Sequence, residues 1–112
     1  MKLDHAIDDL ERLAGHAPSE HGRLELNHDA SSARIRFSNP TARNAFTLEM
    51  MAALGRAVSE LEQQTQHAVV LIESGHGPTF SAGGDLRQLG EAVRDRQAAY
   101  RMSMAMQTVL WH

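Results

Sequence analysis

Apolar residues near the start of the chain recur at Leu3, Ile7, Leu10 and Leu13, the spacing that gathers side chains onto one face of a helix. Gly15 and Pro18 interrupt the pattern, and Gly15 to Gly22 reads as a linker. The spacing therefore predicts a short amphipathic helix that docks on another surface. After Gly22 the rhythm changes. Leu24 and Leu26 alternate with Arg23, Glu25 and Asn27, and Ala33, Ile35 and Phe37 alternate with Arg34, Arg36 and Ser38. With Asp29-Ala30-Ser31-Ser32 between the two runs, the alternation predicts a β-hairpin with one buried face.

Asn39-Pro40 marks a turn, and helical spacing returns at Leu48, Met51, Leu54, Val58 and Leu61, with Glu60, Glu62, Gln63 and Gln64 on the wet face. Thr47 suits the N-cap and Glu49 the first turn. Ala68-Val69-Val70-Leu71-Ile72 is apolar without alternation, which predicts a strand covered on both faces of a parallel sheet. Ser74-Gly75-His76-Gly77-Pro78 reads as a turn. A last helix is predicted from about Asp85 to the end of the chain. Leu86, Leu89, Val93, Tyr100, Met104 and Trp111 form one stripe, and Met102, Met106, Val109 and Leu110 a second. A helix apolar on so many sides is expected to be buried at its end, Tyr100 and Trp111 included. The order helix, hairpin, helix, strand, helix is an α/β order that is unfinished.

Composition narrows the function classes. A length of 112 residues allows one domain, and an apolar fraction of 42% supports a packed core rather than disorder. Eleven basic and 14 acidic residues give a net charge of −3. They are spread along the chain without a basic stripe, so no nucleic-acid partner is expected. Without Cys there is neither disulfide nor thiolate chemistry. No apolar run approaches a membrane span, and Met1-Lys2-Leu3-Asp4-His5 is too polar for a signal peptide. The expectation is a cytoplasmic protein with no membrane partner. The seven His residues contain no pair at helical ligand spacing, so no metal site is expected. A Gly-x-Ser-x-Gly elbow is absent from the sequence, and the six Met read as core or interface filler.

The stretch that suggests chemistry is Pro78-Thr79-Phe80-Ser81-Ala82-Gly83-Gly84-Asp85-Leu86-Arg87-Gln88-Leu89. Small residues let a backbone approach a ligand closely. Asp85 suits an N-cap, with Gln88 three residues on as in a capping box. Amides at such a helix start lie at the positive end of the helix dipole, where they can stabilise charge developing on a carbonyl oxygen. The stretch is neither a Walker A loop nor a dinucleotide fingerprint, because the Gly spacing and the following residues differ.

Phe80-Ser81-Ala82-Gly83-Gly84-Asp85-Leu86 resembles the crotonase motif Phe-x-Ala-Gly-x-Asp-Leu/Ile, and Asn39-Pro40-Thr41-Ala42-Arg43-Asn44-Ala45-Phe46 resembles the family's Asn-Pro-x-x-x-Asn-Ala-Leu/Phe. With the hairpin before and the strand Val69–Ile72 between, the chain resembles the amino-terminal half of the crotonase superfamily, the enoyl-CoA hydratase/isomerase group. The likeness runs from about Gly22 to His112. It implies an α/β, crotonase-like ββα spiral of which the chain holds the first turns only. Residues 22–112 would form the half-domain, and residues 1–21 a helical extension and linker.

The resemblance implies that the Gly84 backbone N–H is one of two oxyanion-hole donors and that the Ala82 carbonyl meets the adenine amino group of CoA. Arg43 and Arg87 match positions that contact CoA phosphates in some members, and each reads equally as a solvated charge. Ala45, Gly83, Asp85 and Leu86 complete the implied CoA-binding set, with Asp85 read first as a helix cap. Coenzyme A enters as part of an acyl-CoA thioester substrate, and no separate cofactor is implied. The family's second oxyanion donor and its acid/base glutamates have no counterpart here. The chain is therefore expected to be a truncated product, a gene fragment or one part of a split protein. Its expected partners are the missing C-terminal half or a partner chain, within the trimer or hexamer common in the family. The rival reading is a non-catalytic interaction or regulatory module that pairs with a partner chain.

Overall fold

The computed structural model describes residues 1–28, 32–64, 69–75, 79–92 and 94–111. The expected hairpin turn at 29–31, the expected turn residues 76–78, and His67, Ala68, Val93 and His112 lie outside the described residues.

Helix α1 (Leu3–Ala14) buries Leu3, Ala6, Ile7, Leu10 and Ala14; of the stripe expected from its spacing, Leu13 is only partly buried. Strands β1 (Arg23–His28) and β2 (Ser32–Ser38) pair antiparallel, with Leu26 opposite Ile35 and Leu24 opposite Phe37. On β2 the alternation is complete: Ala33, Ile35 and Phe37 are buried, while Arg34 and Arg36 are exposed. A short 3-10 turn (Pro40–Ala42) leads to α2 (Leu48–Glu62), whose N-cap is Thr47 as expected; its hydroxyl accepts from the Met50 N–H at 3.0 Å. Strand β3 (Val69–Ser74) then returns parallel to β2, with Ile72 opposite Ile35, giving the sheet order β1-β2-β3. The chain ends in α3 (Leu86–Ala92) and α4 (Arg96–Trp111).

One core joins α1, α2, α4 and the inner face of β2. Leu10 and Ile35 are completely buried there, and each burial is worth about 1.5–3 kcal/mol. The helices approach closely at Gly55. A Cβ at that position would lie 2.8 Å from Ile7 Cγ1 on α1 and 3.3 Å from Val109 Cγ2 on α4. Even the smallest side chain would therefore have to displace its neighbours.

Three expectations are corrected. The last helix is not continuous: α3 ends at Ala92, and α4 begins after Asp95, whose carboxylate accepts from the Gln97 N–H at 2.9 Å. An Asp side chain that captures a backbone N–H starts a new helix rather than extending an old one. The restart resets the helical phase, so the buried face of α4 is Met102, Ala105 and Val109, turned toward α1. Tyr100, Leu110 and Trp111 are exposed, Trp111 to 90%, because α4 is packed from one side only among the described residues. Leu86 on α3 is likewise 83% exposed. Finally, β3 pairs in parallel but is not covered on both faces. Val70, Leu71 and Ile72 are 45–48% exposed, since β3 lies at a sheet edge and packs chiefly on β2 rather than on a helix.

Candidate active site

The two sequence motifs lie side by side. After β2 the chain turns through Pro40–Ala42 into Arg43 and Asn44, both left-handed with φ of 52° and 58°. That conformation is uncommon for a residue with a side chain, although Asn tolerates it better than most. It is held by polar bonds. Asn44 is fully buried; its Oδ1 accepts from the Asn39 N–H at 2.7 Å, and its Nδ2 donates to Ser74 Oγ at 2.5 Å and to the Phe80 carbonyl at 3.2 Å. Asn39 is also buried, and its Nδ2 donates to the Ala45 carbonyl at 2.9 Å. These two amides close the first loop on itself and fasten it to the second, which avoids unpaired polar groups in a buried place.

The loops then run together as a short parallel ladder. The Ala82 N–H donates to the Arg43 carbonyl at 3.0 Å, the Phe46 N–H to the Gly83 carbonyl at 2.7 Å, and the Asp85 N–H to the Phe46 carbonyl at 2.9 Å. The Ser81 hydroxyl donates to the Asn44 carbonyl at 2.8 Å and accepts from the Gly83 N–H at 3.1 Å. Beneath them Phe37 packs at a tilt against Phe46 and edge-to-face against Phe80, with centroids 4.6 and 5.0 Å apart.

This ladder determines what the glycines present. Phe46 and Gly84 form a parallel bridge, and both of its hydrogen bonds use the neighbours of Gly84, namely the Gly83 carbonyl and the Asp85 N–H. The Gly84 N–H therefore points away from Phe46, and it meets no acceptor among the described residues. Gly83 sits at φ +102°, a conformation that L side chains rarely adopt. Gly84 has no such constraint; a Cβ there would come 3.1 Å from the flexible end of Leu89.

The remaining residues of the expected site divide. Ala82 and Gly83 are exposed, and the Ala82 carbonyl accepts no bond among the described residues. Arg43 is exposed and makes neither side-chain hydrogen bond nor ion pair among them. Ala45 is buried, with its carbonyl taken by Asn39. Leu86 projects into solvent. Arg87 donates from Nη2 to the carbonyls of Pro18 at 2.5 Å and Ala17 at 3.3 Å. Asp85 caps α3 by accepting from the Gln88 N–H at 2.9 Å. The expected capping box is only half formed: the Asp85 N–H is committed to Phe46, so the Gln88 side chain turns elsewhere, to the Leu48 N–H. The sequence reading did not single out the buried amides of Asn39 and Asn44 as anchors; their only signal was their place in the first motif.

A sequence profile of the enoyl-CoA hydratase/isomerase family matches residues 27–110. The chain belongs to that family. Both ladder segments fall inside the match, whereas α1 and most of β1 precede it. Curated relatives include ethylmalonyl-CoA decarboxylase of Xenopus laevis, 39% identical over 90 residues, which are 80% of this chain and 29% of that protein. Human enoyl-CoA hydratase domain-containing protein 3, mitochondrial, is 34% identical over 87 residues, 71% of this chain and 28% of that protein. Among solved structures, Pseudomonas aeruginosa AtuE superposes with a TM-score of 0.72 at 24% identity, over 79% of this chain and 34% of that one. The structure of human enoyl-CoA hydratase domain-containing protein 3 gives 0.68 at 26%, over 80% and 34%. The fold is thus crotonase-like and partial, and the chain spans under a third of the length of the curated relatives named here. Family membership accounts for the conjunction of two separate motifs in one ladder, which neither motif alone requires.

Proposed function

We propose that this chain carries the thioester-binding end of an acyl-CoA site, with the Gly84 N–H as a donor to the enolate oxygen. The observation that carries the reading is a backbone N–H that meets no acceptor among the described residues while its neighbours on both sides are pinned to Phe46. A donor set in place before charge develops stabilises the enolate more than the thioester, which is what lowers a barrier. The relatives' names join a decarboxylase to a hydratase-domain protein, and an acyl-CoA is what those names share. The Ala82 carbonyl is available to accept from the adenine amino group. Arg43 is available to a CoA phosphate, for which a guanidinium offers several charged donors.

The carboxylates that flank the ladder are engaged. Asp85 caps α3, and Glu49 accepts from the Ser19 N–H at 2.7 Å and from Gln88 Nε2 at 2.7 Å. Both are used as structural acceptors, so binding rather than turnover is the activity expected of this chain. Calorimetric titration with CoA tests it. Arg43→Glu is expected to weaken binding about tenfold or more, the scale of a charge-assisted bond, with an unchanged melting curve. Equal affinity in the variant would remove Arg43 from the site, and hydration of crotonyl-CoA by the purified chain would overturn the division between binding and catalysis.

A second reading, a module that pairs with another polypeptide surface, is favoured by the apolar exposure of β3 and of Trp111. The two readings are compatible when that surface supplies the acid/base groups.

A further inference from the structure

Gln88 is a polar side chain whose bonds reach far across this fold. It is 1% exposed. Its Nε2 donates to Glu49 Oε1 at 2.7 Å and to the Ala17 carbonyl at 3.0 Å, and its Oε1 accepts from the Leu48 N–H at 2.7 Å. Both amide donors and the carbonyl are therefore used. The other Glu49 oxygen accepts from the Ser19 N–H, and Arg87 reaches the Ala17 and Pro18 carbonyls from the exposed side. Three segments meet here: residues 17–19, which precede the family match, and the first turns of α2 and α3. The Phe46–Gly84 bridge lies immediately before both helix starts.

We propose that residues 17–19 form a strap which, through Gln88 and Glu49, sets the spacing of the two helix starts and so positions the Gly83–Gly84 turn. Gln88 is a positioning residue: it touches no substrate, and it acts through Leu48, Glu49 and Asp85. The chemical use of that positioning rests on the acyl-CoA reading above; the strap itself does not.

The chemistry of the pair suggests a swap. Gln88→Glu sets two carboxylates against each other. Glu49→Gln leaves a single acceptor oxygen at position 49 for two donors, Ser19 N–H and Gln88 Nε2. In the double variant the carboxylate at 88 accepts from the Leu48 N–H and the amide at 49, and the amide oxygen at 49 accepts from Ser19. One cost remains: the Ala17 carbonyl, 3.0 Å from Nε2 in the parent, loses that donor and faces a carboxylate oxygen, with Arg87 still reaching it.

The measurement is amide hydrogen exchange of the full chain without ligand, comparing ladder amides (Phe46, Ala82, Asp85) with core-helix amides (Leu10, Leu54). Each single variant is expected to speed ladder exchange about tenfold relative to the core, and the swap to restore part of it, about threefold or more. Should a single variant fail to fold, Arg87→Met, which cuts the strap from the exposed side, is expected to raise ladder exchange selectively by about threefold or more. Parallel acceleration of ladder and core amides, or a swap no better than the single variants, would overturn the strap. A chain that fails to bind CoA while the swap restores exchange refutes the acyl-CoA reading and upholds the strap.

Discussion

Asn44, Gly83 and Gly84 sit within one loop pair, yet each meets a different demand. Asn44 combines a left-handed backbone with a buried amide that bonds both loops. Gly83 needs only its conformation, since a Cβ there would meet nothing within 4 Å, and Gly84, on the proposed reading, needs only its N–H. Gly83→Ala is accordingly expected to lower stability by about 1–2 kcal/mol through backbone strain alone, and Gly84→Ala by less than about 0.5 kcal/mol as Leu89 gives way. Urea unfolding of the two variants checks the contrast; equal losses would show that the conformation of Gly83 is not what selects glycine. The motifs made these positions legible as a site. They left Gln88 and Glu49 unread as a strap, because a Gln on a short helix and a Glu in a first turn look the same whether they face water or a buried segment.

At the scale of elements, local periodicity was legible wherever one partner decides burial. The alternation of β2 and the stripe of α1 hold because each turns a single face to the core. Periodicity misled at the end of the chain. Leu86 through Trp111 fits a helical stripe only if no break intervenes, and at the break the Asp95 carboxylate takes the Gln97 N–H. Asp95→Ala is expected to lower stability by about 1 kcal/mol, the usual worth of an N-cap, and to fray the first turn of α4. Amide exchange at Gln97 and Ala99 reports the fraying. An unchanged melting midpoint would mean that packing of Met102, Ala105 and Val109 on α1, not the cap, sets where α4 begins.

Across the whole molecule the core and the apolar surface are segregated. The core is closed by α1, which lies outside the family match yet contributes five of its buried residues. The far edge, by contrast, leaves Val70, Leu71 and Ile72 nearly half exposed on an edge strand, the arrangement that invites pairing. Self-association at high concentration is therefore expected, and Leu71→Lys should suppress it in light scattering; a monodisperse monomer at all concentrations would contradict this reading of the edge. Burial of that kind was not legible from the run Ala68–Ile72, whose composition specifies an apolar strand but not what covers it. The central claim is that the pinned loop pair presents the Gly84 N–H to an acyl-CoA thioester. Two-dimensional amide NMR during titration with acetoacetyl-CoA, whose β-keto thioester offers an enolate oxygen, tests it at the atom concerned. The Gly84 amide is expected to move downfield, with smaller shifts at Ala82 and Arg43 and none along α1. A Gly84 resonance that stays fixed while other residues respond, or no response at millimolar ligand, would contradict the account.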